Sequence, residues 1–523
     1  MSFSENLLPE FDAEMKNTRK MLECVPDGDF DWQPHAKSMT LGRLATHVAE
    51  LPSWTVMTLD REVVVVGAGV AGLSAAAALA KDGAKVTLLE RRAFVGGRAY
   101  SYEHPALGEI VDSQHVLLGC CTNLIEFCNA AGLADKIRWY DRQTFLTPDG
   151  RASTIEAGSL PAPMQYTSSF LNASMLSVAD KAAIARGLMH FARGNSGSDE
   201  ESTAQWYKRS GQTERAIRHF WEPIVLATLN DSAANCSMKY AGKVFYELFL
   251  KTSTGGRLGI PTVPLSEFYG AGAEMIRQAG ANVELRAGVE GIAQQADGSW
   301  LLRTADNVVQ TRNVVLALPF AQTQQLIAGM ELAGGVGEAV RAELLDKMGK
   351  FIASPFISVL LWYDRQITEL DHAWLLDTTI QWFFHKSRIR GYAPEQGSYV
   401  ELVIAGSRRE LAMSREEILA TALEEIRQFF PEVMAARLVK SGLLKEARAT
   451  FSVTPGLDAF RPSQKTALPG LYLAGDWTAT DWPSTMESAC RSGRLAAGAV
   501  VGDKARFMAK EPQATGLSRW LAR

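Results

Sequence analysis

This chain of 523 residues has few cysteines and lacks several patterns that mark specialised classes of protein. The six cysteines are scattered and include no Cys-x-x-Cys motif, so neither a disulfide framework nor a zinc site is indicated. No apolar run is long enough to cross a membrane as a helix. The net charge of −4 excludes the broad basic surface that nucleic-acid binding requires. The first residues lack the basic-then-apolar pattern of a signal peptide, and we expect a cytoplasmic protein with reduced thiols.

What is present fits a large protein with a substantial core. Hydrophobic residues make up 47% of the chain, and its length is enough for two or three domains. We see no internal repeat, and the clearest polar loop lies at residues 194–201. The class of the protein therefore has to be argued from its motifs.

A glycine-rich turn between a valine-rich strand and an alanine-rich helix is the most informative motif. Residues 62–66 predict the strand and residues 71–81 the helix. Gly67 permits the tight turn, Gly69 lets a pyrophosphate approach the backbone, and Gly72 lets the helix pack closely on the strand. The N-terminal N–H groups of the helix would then point at the phosphates. The turn residues predicted to bind a dinucleotide are Gly67, Gly69, Val70, Ala71 and Gly72.

A second predicted strand carries an acid suited to a ribose. Residues 86–90 are apolar and end at Glu90, about 20 residues beyond the turn, where a carboxylate accepts ribose hydroxyls. Strand, turn, helix and acid together predict a Rossmann-type α/β domain that binds a dinucleotide. The alternative is a glycine turn that only packs a helix on a sheet.

Two further segments resemble the amine oxidase and phytoene desaturase superfamily of flavoproteins. Gly96, Gly97 and Arg98 follow the second strand, as they do in that superfamily. Residues 470–477 resemble the strand that ends beneath the flavin ribityl chain. Residues 486–493 resemble the helix whose N-terminus faces the pyrimidine edge of the flavin, where it would stabilise negative charge on the reduced ring.

The resemblance implies FAD, rather than NAD, as the cofactor. It implies that the backbone amide of Val289 lies against the adenine and that Asp476 binds ribityl hydroxyls. Only one Gly-x-Gly-x-x-Gly turn is present, so no separate NAD(P)H site is evident and the electron donor stays unidentified. Besides the turn, the implied FAD-binding residues are Glu90, Arg91, Gly96, Gly97, Arg98, Val289, Gly475, Asp476 and Met486.

Within that superfamily the chain resembles the hydroxysqualene dehydroxylases, the squalene-associated flavoproteins of bacterial hopanoid pathways. Residues 112–119, with the sequence Asp-Ser-Gln-His-Val-Leu-Leu-Gly, resemble the loop that passes under the flavin in that group. Residues 220–230 resemble its central helix, and residues 475–487 resemble its C-terminal motif. The resemblance extends over about residues 60–502 and implies the reductive removal of hydroxide from hydroxysqualene to give squalene.

That reaction needs a proton donor, because hydroxide leaves an allylic carbon only when it is protonated or hydrogen-bonded. His115 is the first candidate, because its motif places it near the flavin. Glu222, on an otherwise apolar helix, is the second. The structural alternatives are a hydrogen bond within the loop for His115 and a paired buried acid for Glu222. No metal ligand set is evident among the histidines.

Three other functions stay open. A carotenoid or squalene desaturase would use the same fold in the oxidative direction and pass electrons to a quinone or oxygen. An amine oxidase would need an aromatic cage for the amine, which we cannot place in the sequence. A non-enzymatic protein with FAD as a structural ligand is the third.

The motifs divide the chain into segments that alternate between two domains. The substrate domain is predicted to be α+β, and its aromatic and aliphatic residues suggest a tunnel for a hydrophobic isoprenoid substrate. We predict an FAD-binding domain from residues 59–118, 262–325 and 464–503, and a substrate domain from residues 119–261 and 326–463.

The two ends are predicted to have separate roles. Residues 1–58 resemble the opening helices of DinB-type bundles, with helical spacing at residues 7–24 and 41–51, but the partner ligands for a metal at His47 are missing. Residues 504–523 form a basic amphipathic tail with five Lys and Arg against one Glu. Such a tail suits an anionic bilayer, together with residues 164–176 and 240–250, so we expect peripheral association with the inner membrane.

Overall fold

The computed structural model describes residues 3–26, 28–49, 62–194 and 197–521. At its centre is a five-stranded sheet in which all neighbouring strands are parallel. Its strands, in spatial order, are Asn282–Leu285, Lys85–Glu90, Glu62–Val66, Asn313–Leu316 and Leu471–Leu473. Val63 to Val66 are buried, and the helix Val70–Lys81 and the strand Val308–Thr311 contact this middle strand. The predicted α/β class with a Rossmann-type sheet is confirmed.

Two helices pack against each other over this sheet. Val70–Lys81 follows the first strand, and Met486–Val501 follows the last. A Cβ at Gly493 would lie 2.1 Å from the carbonyl oxygen of Ala71, so the two helix backbones are in close contact. The Ser74 hydroxyl also donates a hydrogen bond to the carbonyl of Cys490 at 3.0 Å. The first and last predicted cofactor segments are therefore brought together by direct helix packing.

A second, seven-stranded sheet is mainly antiparallel, and the chain passes back and forth between it and the parallel sheet. Every second residue of the strand Ala353–Tyr363, at positions 357, 359 and 361, packs in one core cluster with the helix Arg415–Phe429. This is expected for a strand with one face on a core. The strands, in spatial order, are Leu438–Phe451, Ala353–Tyr363, Ser398–Ala405, Trp382–Phe384, His372–Leu375, Arg142–Leu146 and Ala152–Glu156.

The described residues also form three small sheets. They are the hairpin Ser101–His104 with Glu109–Asp112, the set Leu117–Leu118, Leu258–Pro261 and Ile137–Tyr140, and the set Val289–Gln294, Trp300–Thr304 and Val308–Thr311. The 3₁₀ turns are Ala134–Lys136, Pro394–Gln396, Pro431–Ala435 and Leu457–Phe460.

The remaining helices flank both sheets, and two of them are π-helical turns, a geometry common near functional sites. The π turns are Ile217–Trp221 and Tyr246–Leu250. The α-helices are Thr122–Ala130, Thr167–Asn172, Val178–Ala192, Thr203–Arg209, Glu214–Ala216, Glu222–Leu229, Met238–Phe245, Leu265–Gln278, Phe320–Ala328, Gly335–Gly349, Lys386–Ile389, Arg408–Leu411 and Ser518–Leu521.

The two predicted N-terminal helices are present as Phe3–Glu23 and residues 41–49, and the segment 50–61 lies outside the described residues. Five of the six cysteines are buried and free, whereas Cys24 is exposed. Across the described ranges, no helix has the length and hydropathy needed to span a bilayer. In the same residues, no three His, Cys, Asp or Glu side chains are grouped to hold a metal ion.

The prediction that residues 240–250 lie in a membrane interface is wrong. Tyr240 and Phe245 are almost fully buried, and the Phe245 ring meets Trp221 edge-on at 4.5 Å. This segment is therefore core. Aromatic core helices and interfacial helices have similar composition, so the sequence alone did not separate them.

Candidate active site

The glycine turn forms a cradle whose shape depends on the absence of side chains. Gly67 has φ +101, and its Cβ would lie 2.8 Å from the carbonyl oxygen of Ala317. A Cβ at Gly72 would lie only 1.8 Å from the carbonyl oxygen of Gly67. At Gly69, by contrast, the nearest heavy atom to an added Cβ is 3.7 Å away. The protein thus leaves open space over Gly69, at the start of the helix Val70–Lys81, which no side chain caps.

Glu90 is held at the end of the neighbouring strand. One carboxylate oxygen accepts a hydrogen bond from the backbone N–H of Ala68 at 2.9 Å, and the other accepts from the N–H of Arg92 at 2.9 Å. Each oxygen has a further lone pair, so the carboxylate can still accept ribose hydroxyls. Arg91 and Val289 lie beside it on the wall of the same cavity.

This cavity has a volume of about 790 Å³ and runs along the carboxyl ends of the parallel strands. Such a position is where open α/β sheets bind their ligands. Gly72 is not on its wall, because it packs the helix on the strand instead. The predicted cofactor residues that line the cavity are Gly67, Gly69, Val70, Ala71, Glu90, Arg91, Gly96, Gly97, Arg98, Val289, Gly475, Asp476 and Met486.

At the far end of the cavity, Asp476 is buried, and each of its carboxylate oxygens accepts from one donor. Arg98 Nη2 donates to Asp476 Oδ1 at 2.6 Å, and the Ser484 hydroxyl donates to Oδ2. The Arg98 guanidinium also donates to the carbonyl of Ala449 at 2.8 Å. The carboxylate therefore keeps only its remaining lone pairs for a ligand hydroxyl.

The helix Met486–Val501 begins at this same end. Thr485 caps it by accepting a hydrogen bond from the N–H of Ser488 at 3.1 Å. Glu487 is fully buried in its first turn and accepts hydrogen bonds from Asn123 Nδ2 at 2.9 Å and from the N–H of Leu124 at 2.8 Å. Because Thr485 and Met486 line two cavities, the positive end of this helix lies between them.

The second cavity has a volume of about 430 Å³ and is mostly apolar. Its wall combines aromatic and aliphatic side chains of the seven-stranded sheet with the π turn Tyr246–Leu250. The two cavities share Arg98, Tyr100, His115, Glu446, Ala449, Thr450, Ser484, Thr485 and Met486, so they adjoin. A group bound in the first cavity would therefore meet a ligand in the second at this shared wall.

His115 lies on the shared wall. Its Nδ1 is 2.9 Å from the carbonyl oxygen of Ser113. Since a carbonyl only accepts, Nδ1 carries the proton and Nε2 is the acceptor of the neutral ring. Burial lowers the pKa of His115, although the Ser113 carbonyl and the charges of Asp112 and Glu401 oppose this. At neutral pH the ring is therefore unprotonated at Nε2, which can accept a proton but has none to supply.

Glu222 does not line either of these cavities, and its selection as a proton donor needs correction. Its carboxylate accepts a hydrogen bond from the N–H of Ala233 at 3.1 Å. Burial raises the pKa of Glu222, and the negative charge of Asp231 raises it further. The hydrogen bond from the N–H of Ala233 lowers it, but by less. The side chain therefore closes a local turn and lies on neither cavity wall.

Sequence reasoning missed a buried charge cluster beneath the His115 loop. Lys386 Nζ donates to the Asp112 carboxylate and, at 2.7 Å, to Glu401. Arg390 donates to both oxygens of Asp112 at 2.8 Å. Burial would raise the pKa of Asp112, but the charges of Lys386 and Arg390 outweigh it and hold that pKa below its usual value. The two cations and two anions thus balance one another.

This cluster fixes the loop that carries His115. One oxygen of Glu401 accepts from the backbone N–H of Gln114 at 2.9 Å and from the Ser358 hydroxyl at 2.6 Å. Because that contact uses the one Ser358 proton, the Ser113 hydroxyl, 3.0 Å away, donates to Ser358. The only sequence signal was a carboxylate inside the uniformly buried strand Ser398–Ala405, which indicates a paired charge.

The first cavity fits a flavin dinucleotide on three observations. The open space over Gly69 and the uncapped helix at Val70 suit a pyrophosphate. The fixed carboxylate of Glu90 suits a ribose. The second helix N-terminus at Met486 suits a ring system that becomes negatively charged on reduction.

Comparison with curated proteins finds relatives along most of the chain. A zeta-carotene desaturase from Synechocystis sp. is 26% identical over 481 residues, which cover 85% of this chain and 98% of the relative. A 15-cis-phytoene desaturase from an Oncidium hybrid cultivar is 27% identical over 471 residues, which cover 84% of this chain and 78% of the relative. The similarity thus includes both the parallel sheet and the seven-stranded sheet.

Solved structures with the same fold include oxidases. Cyclohexylamine oxidase from Brevibacterium oxydans matches with a TM-score of 0.59 at 19% identity, over 85% of this chain and 99% of that one. An oxidoreductase from Methanosarcina mazei matches with a TM-score of 0.63 at 18% identity, over 83% and 98%. At this level of identity the structures show the shared fold alone.

The family comparison covers the segment that holds the site. Residues 70–501 match the family described as flavin containing amine oxidoreductase. These residues include the helix Val70–Lys81, the wall that the two cavities share and the helix Met486–Val501. The chain therefore belongs to the flavin containing amine oxidoreductases and is an FAD-dependent oxidoreductase.

Proposed function

We propose that the protein desaturates a long isoprenoid chain of the carotene type, with bound FAD as the oxidant. The observation that carries this proposal is the neutral His115 on the wall shared by an apolar cavity and the cofactor cavity. The relatives named as zeta-carotene and phytoene desaturases support it, because they match this chain over more than four-fifths of its length.

Desaturation removes a hydride and a proton from two adjacent carbons, and a new double bond forms between them. FAD supplies the hydride acceptor for this reaction. The protein has to bring the allylic carbons to the shared wall, keep water away and accept the proton. Neutral His115 has Nε2 for that proton, and the Ser113 carbonyl would stabilise the resulting imidazolium through Nδ1–H.

Hydroxysqualene dehydroxylation is the second candidate function. It is favoured by residues 112–119 and 475–487, which resemble that group. This reaction needs a protonated donor at the leaving hydroxide, and the lowered pKa of His115 acts against that role. Glu222 is not on the wall of either cavity, so it does not provide the donor instead.

An anaerobic experiment separates the two directions. Oxidised, FAD-loaded protein is mixed with phytoene, and in parallel chemically reduced protein is mixed with hydroxysqualene. We expect bleaching of the flavin spectrum in the first mixture, with a desaturated product detected by mass spectrometry. Reoxidation of the flavin with stoichiometric squalene in the second mixture, and no bleaching in the first, would replace the desaturase with the dehydroxylase.

We also propose that the protein takes its substrate from a bilayer surface. Leu160, Met164, Leu517 and Trp520 are exposed, with Leu517 at 52% and Trp520 at 60%, and we refer to them as the apolar patch. The N–H of Leu517 donates to the carbonyl of Ala162 at 2.8 Å, which brings the tail against the segment that leads to the cavity at Tyr166. Basic residues of the tail, such as Arg519, would face anionic headgroups.

Vesicle co-sedimentation tests this surface. We expect binding to vesicles that contain phosphatidylglycerol and a smaller bound fraction with phosphatidylcholine alone. The double substitution Leu517→Ser and Trp520→Ser should reduce binding, whereas Val308→Ser, an equally exposed apolar residue elsewhere, should not. Equal binding of both variants would contradict the role of the apolar patch.

A further inference from the structure

One face of the seven-stranded sheet forms an aromatic wall of the apolar cavity. Trp374 pairs with Phe145 across a parallel strand contact and with Trp382 across an antiparallel one. Paired residues lie on the same face of a sheet, and Gln143 shares that face because it is two residues from Phe145. All four side chains line the cavity. None of them lines the cofactor cavity.

Two hydrogen-bond donors in this wall have no partner among the described residues. The Nε1 of Trp382 and the Nε2 of Gln143 are both buried without a hydrogen bond. Trp382 as a whole is only 6% exposed. A buried donor without a partner is unfavourable and indicates a group that arrives with the ligand.

The orientation of the Gln143 amide follows from its neighbour. The Nε1 of Trp374 is 3.1 Å from Gln143 Oε1. An indole N–H only donates, so this contact fixes Oε1 as the acceptor and leaves the NH₂ group as a donor. The Trp374 ring also packs against the Trp382 ring, with centroids 3.8 Å apart and an interplanar angle of 47°. Both residues that carry an unpaired donor therefore contact Trp374.

The other unpaired donor in the cavity has a different setting. Trp482 Nε1 also has no hydrogen bond within the described part of the chain. Its ring, however, faces the cations Lys243 and Arg491, at 5.4 and 5.7 Å from the ring centroid. The Gln143 and Trp382 pair is distinct because the side chains around it are aromatic.

We propose that Gln143 and Trp382 bind an oxygen atom of an isoprenoid ligand, and we call this pair the oxygen site. A hydrocarbon offers no acceptor to two buried N–H groups, whereas a hydroxyl, carbonyl or epoxide oxygen does. Because the pair is absent from the cofactor cavity wall, the oxygen is held away from the carbons that react. This inference rests on the proposed function and specifies its substrate class as an oxygenated isoprenoid.

The same chemistry could come from a second source. The carbonyl of an isoprenoid quinone, acting as the oxidant of the reduced flavin, would also satisfy both donors. In that case the oxygen site would serve the electron acceptor and not the isoprenoid that is oxidised. The test therefore has one arm for each source.

The first arm measures binding to oxidised, FAD-loaded protein by titration, with the flavin absorbance change as the signal. The probes are squalene and 2,3-oxidosqualene, which differ by one oxygen that accepts and does not donate. We expect the wild type to bind the epoxide more tightly, by about threefold to tenfold. Gln143→Leu and Trp382→Phe should each remove most of this preference, whereas Phe145→Leu, a change in the same wall without loss of a donor, should keep it.

The second arm measures the rate at which ubiquinone with a short isoprenoid tail reoxidises the reduced flavin. A slower rate in Gln143→Leu and Trp382→Phe, together with no epoxide preference in the wild type, would assign the oxygen site to the quinone. If neither the epoxide preference nor the quinone rate depends on Gln143 and Trp382, the oxygen site does not exist.

The test of the oxygen site does not depend on turnover of phytoene. Bleaching of the flavin by phytoene, with no donor-dependent effect in either arm, would leave the desaturase function intact and overturn the oxygen site. A donor-dependent preference for the epoxide, with no bleaching of the flavin by phytoene or by 2,3-oxidosqualene, would retain the oxygen site and overturn the desaturase function.

Discussion

The two adjoining cavities are formed by different kinds of chemical groups. The cofactor cavity depends on backbone: a glycine turn, two helix N-termini and a carboxylate fixed by two backbone N–H groups. The apolar cavity depends on side chains from strands that are distant in sequence, and its shared wall is held by a buried charge cluster. The comparison indicates that changes in the first should remove the cofactor, and changes in the second should alter catalysis with the cofactor retained.

The largest effect is expected at the glycine turn. Gly72→Ala would bring a Cβ to 1.8 Å from the carbonyl of Gly67, so we expect a lower Tm and loss of FAD together. Gly69→Ala has room within the protein but fills the space of the pyrophosphate, so it should fold and lose FAD affinity. Circular dichroism melting and the ratio of flavin to protein absorbance measure the two effects.

Gly270→Ala is the matched control for the turn. Gly270 lies in the helix Leu265–Gln278, and an added Cβ meets nothing within 4 Å. We expect this variant to bind FAD normally and to gain about 0.4–1 kcal/mol of stability. An FAD content in Gly69→Ala equal to that of Gly270→Ala would show that the turn does not hold the pyrophosphate.

The next effect is expected at the shared wall. His115→Gln removes the proton acceptor, so the rate of anaerobic flavin reduction by phytoene should fall by about 100- to 10,000-fold, with FAD still bound. Stopped-flow absorbance gives the rate. His104→Gln, on the hairpin strand Ser101–His104, is the control and should reduce the flavin at the wild-type rate. A His115→Gln rate close to wild type would remove this histidine from the mechanism.

The buried charge cluster should affect stability strongly. Lys386→Met leaves Asp112 and Glu401 buried without their shared cation, a loss of about 3–5 kcal/mol in the free energy of unfolding. The control is Lys347→Met, which breaks a solvent-exposed pair with Glu343 and should cost no more than about 0.5 kcal/mol. Urea unfolding measures both, and equal losses would contradict the role of the cluster.

The smallest effect is expected at Glu222. Glu222→Gln keeps an acceptor for the N–H of Ala233 and changes nothing at either cavity, so the rate of flavin reduction should stay within about twofold of wild type. Steady-state turnover and the same stopped-flow assay measure this. A large fall in rate, with normal FAD content, would return Glu222 to the list of catalytic candidates.

The cofactor cavity could be predicted from the sequence because its determinants are local. Gly67, Gly69 and Gly72 act through the backbone within one turn, and Glu90 follows at a fixed spacing set by the strand and helix lengths. Two features of this cavity were visible only in the structure. Gly72 lies behind the cavity wall, and Asp476 is paired with Arg98.

The apolar cavity could not be predicted in the same way, because its contacts are long-range. Lys386 meets Asp112 across 274 residues, and Glu401 meets Gln114 across 287 residues. The sequence suggested a catalytic role for Glu222, an acid on an otherwise apolar helix, and a membrane role for residues 240–250. The structure places Glu222 on neither cavity wall and most of residues 240–250 in the core. Apolar periodicity identifies a buried face but does not specify what that face is buried against.

The central claim is that the reaction runs in the oxidative direction with neutral His115 as the proton acceptor. The most direct measurement is the rate of anaerobic flavin reduction by phytoene between about pH 5 and pH 9. Burial lowers the pKa of His115 below the ordinary histidine value of about 6.5. The base is therefore already mostly deprotonated at a pH equal to that ordinary value. We therefore expect a constant rate through neutral pH and a fall only as the pH drops below that value. A rate that rises toward acid pH, or a flavin that phytoene never reduces while hydroxysqualene reoxidises it, would contradict the claim.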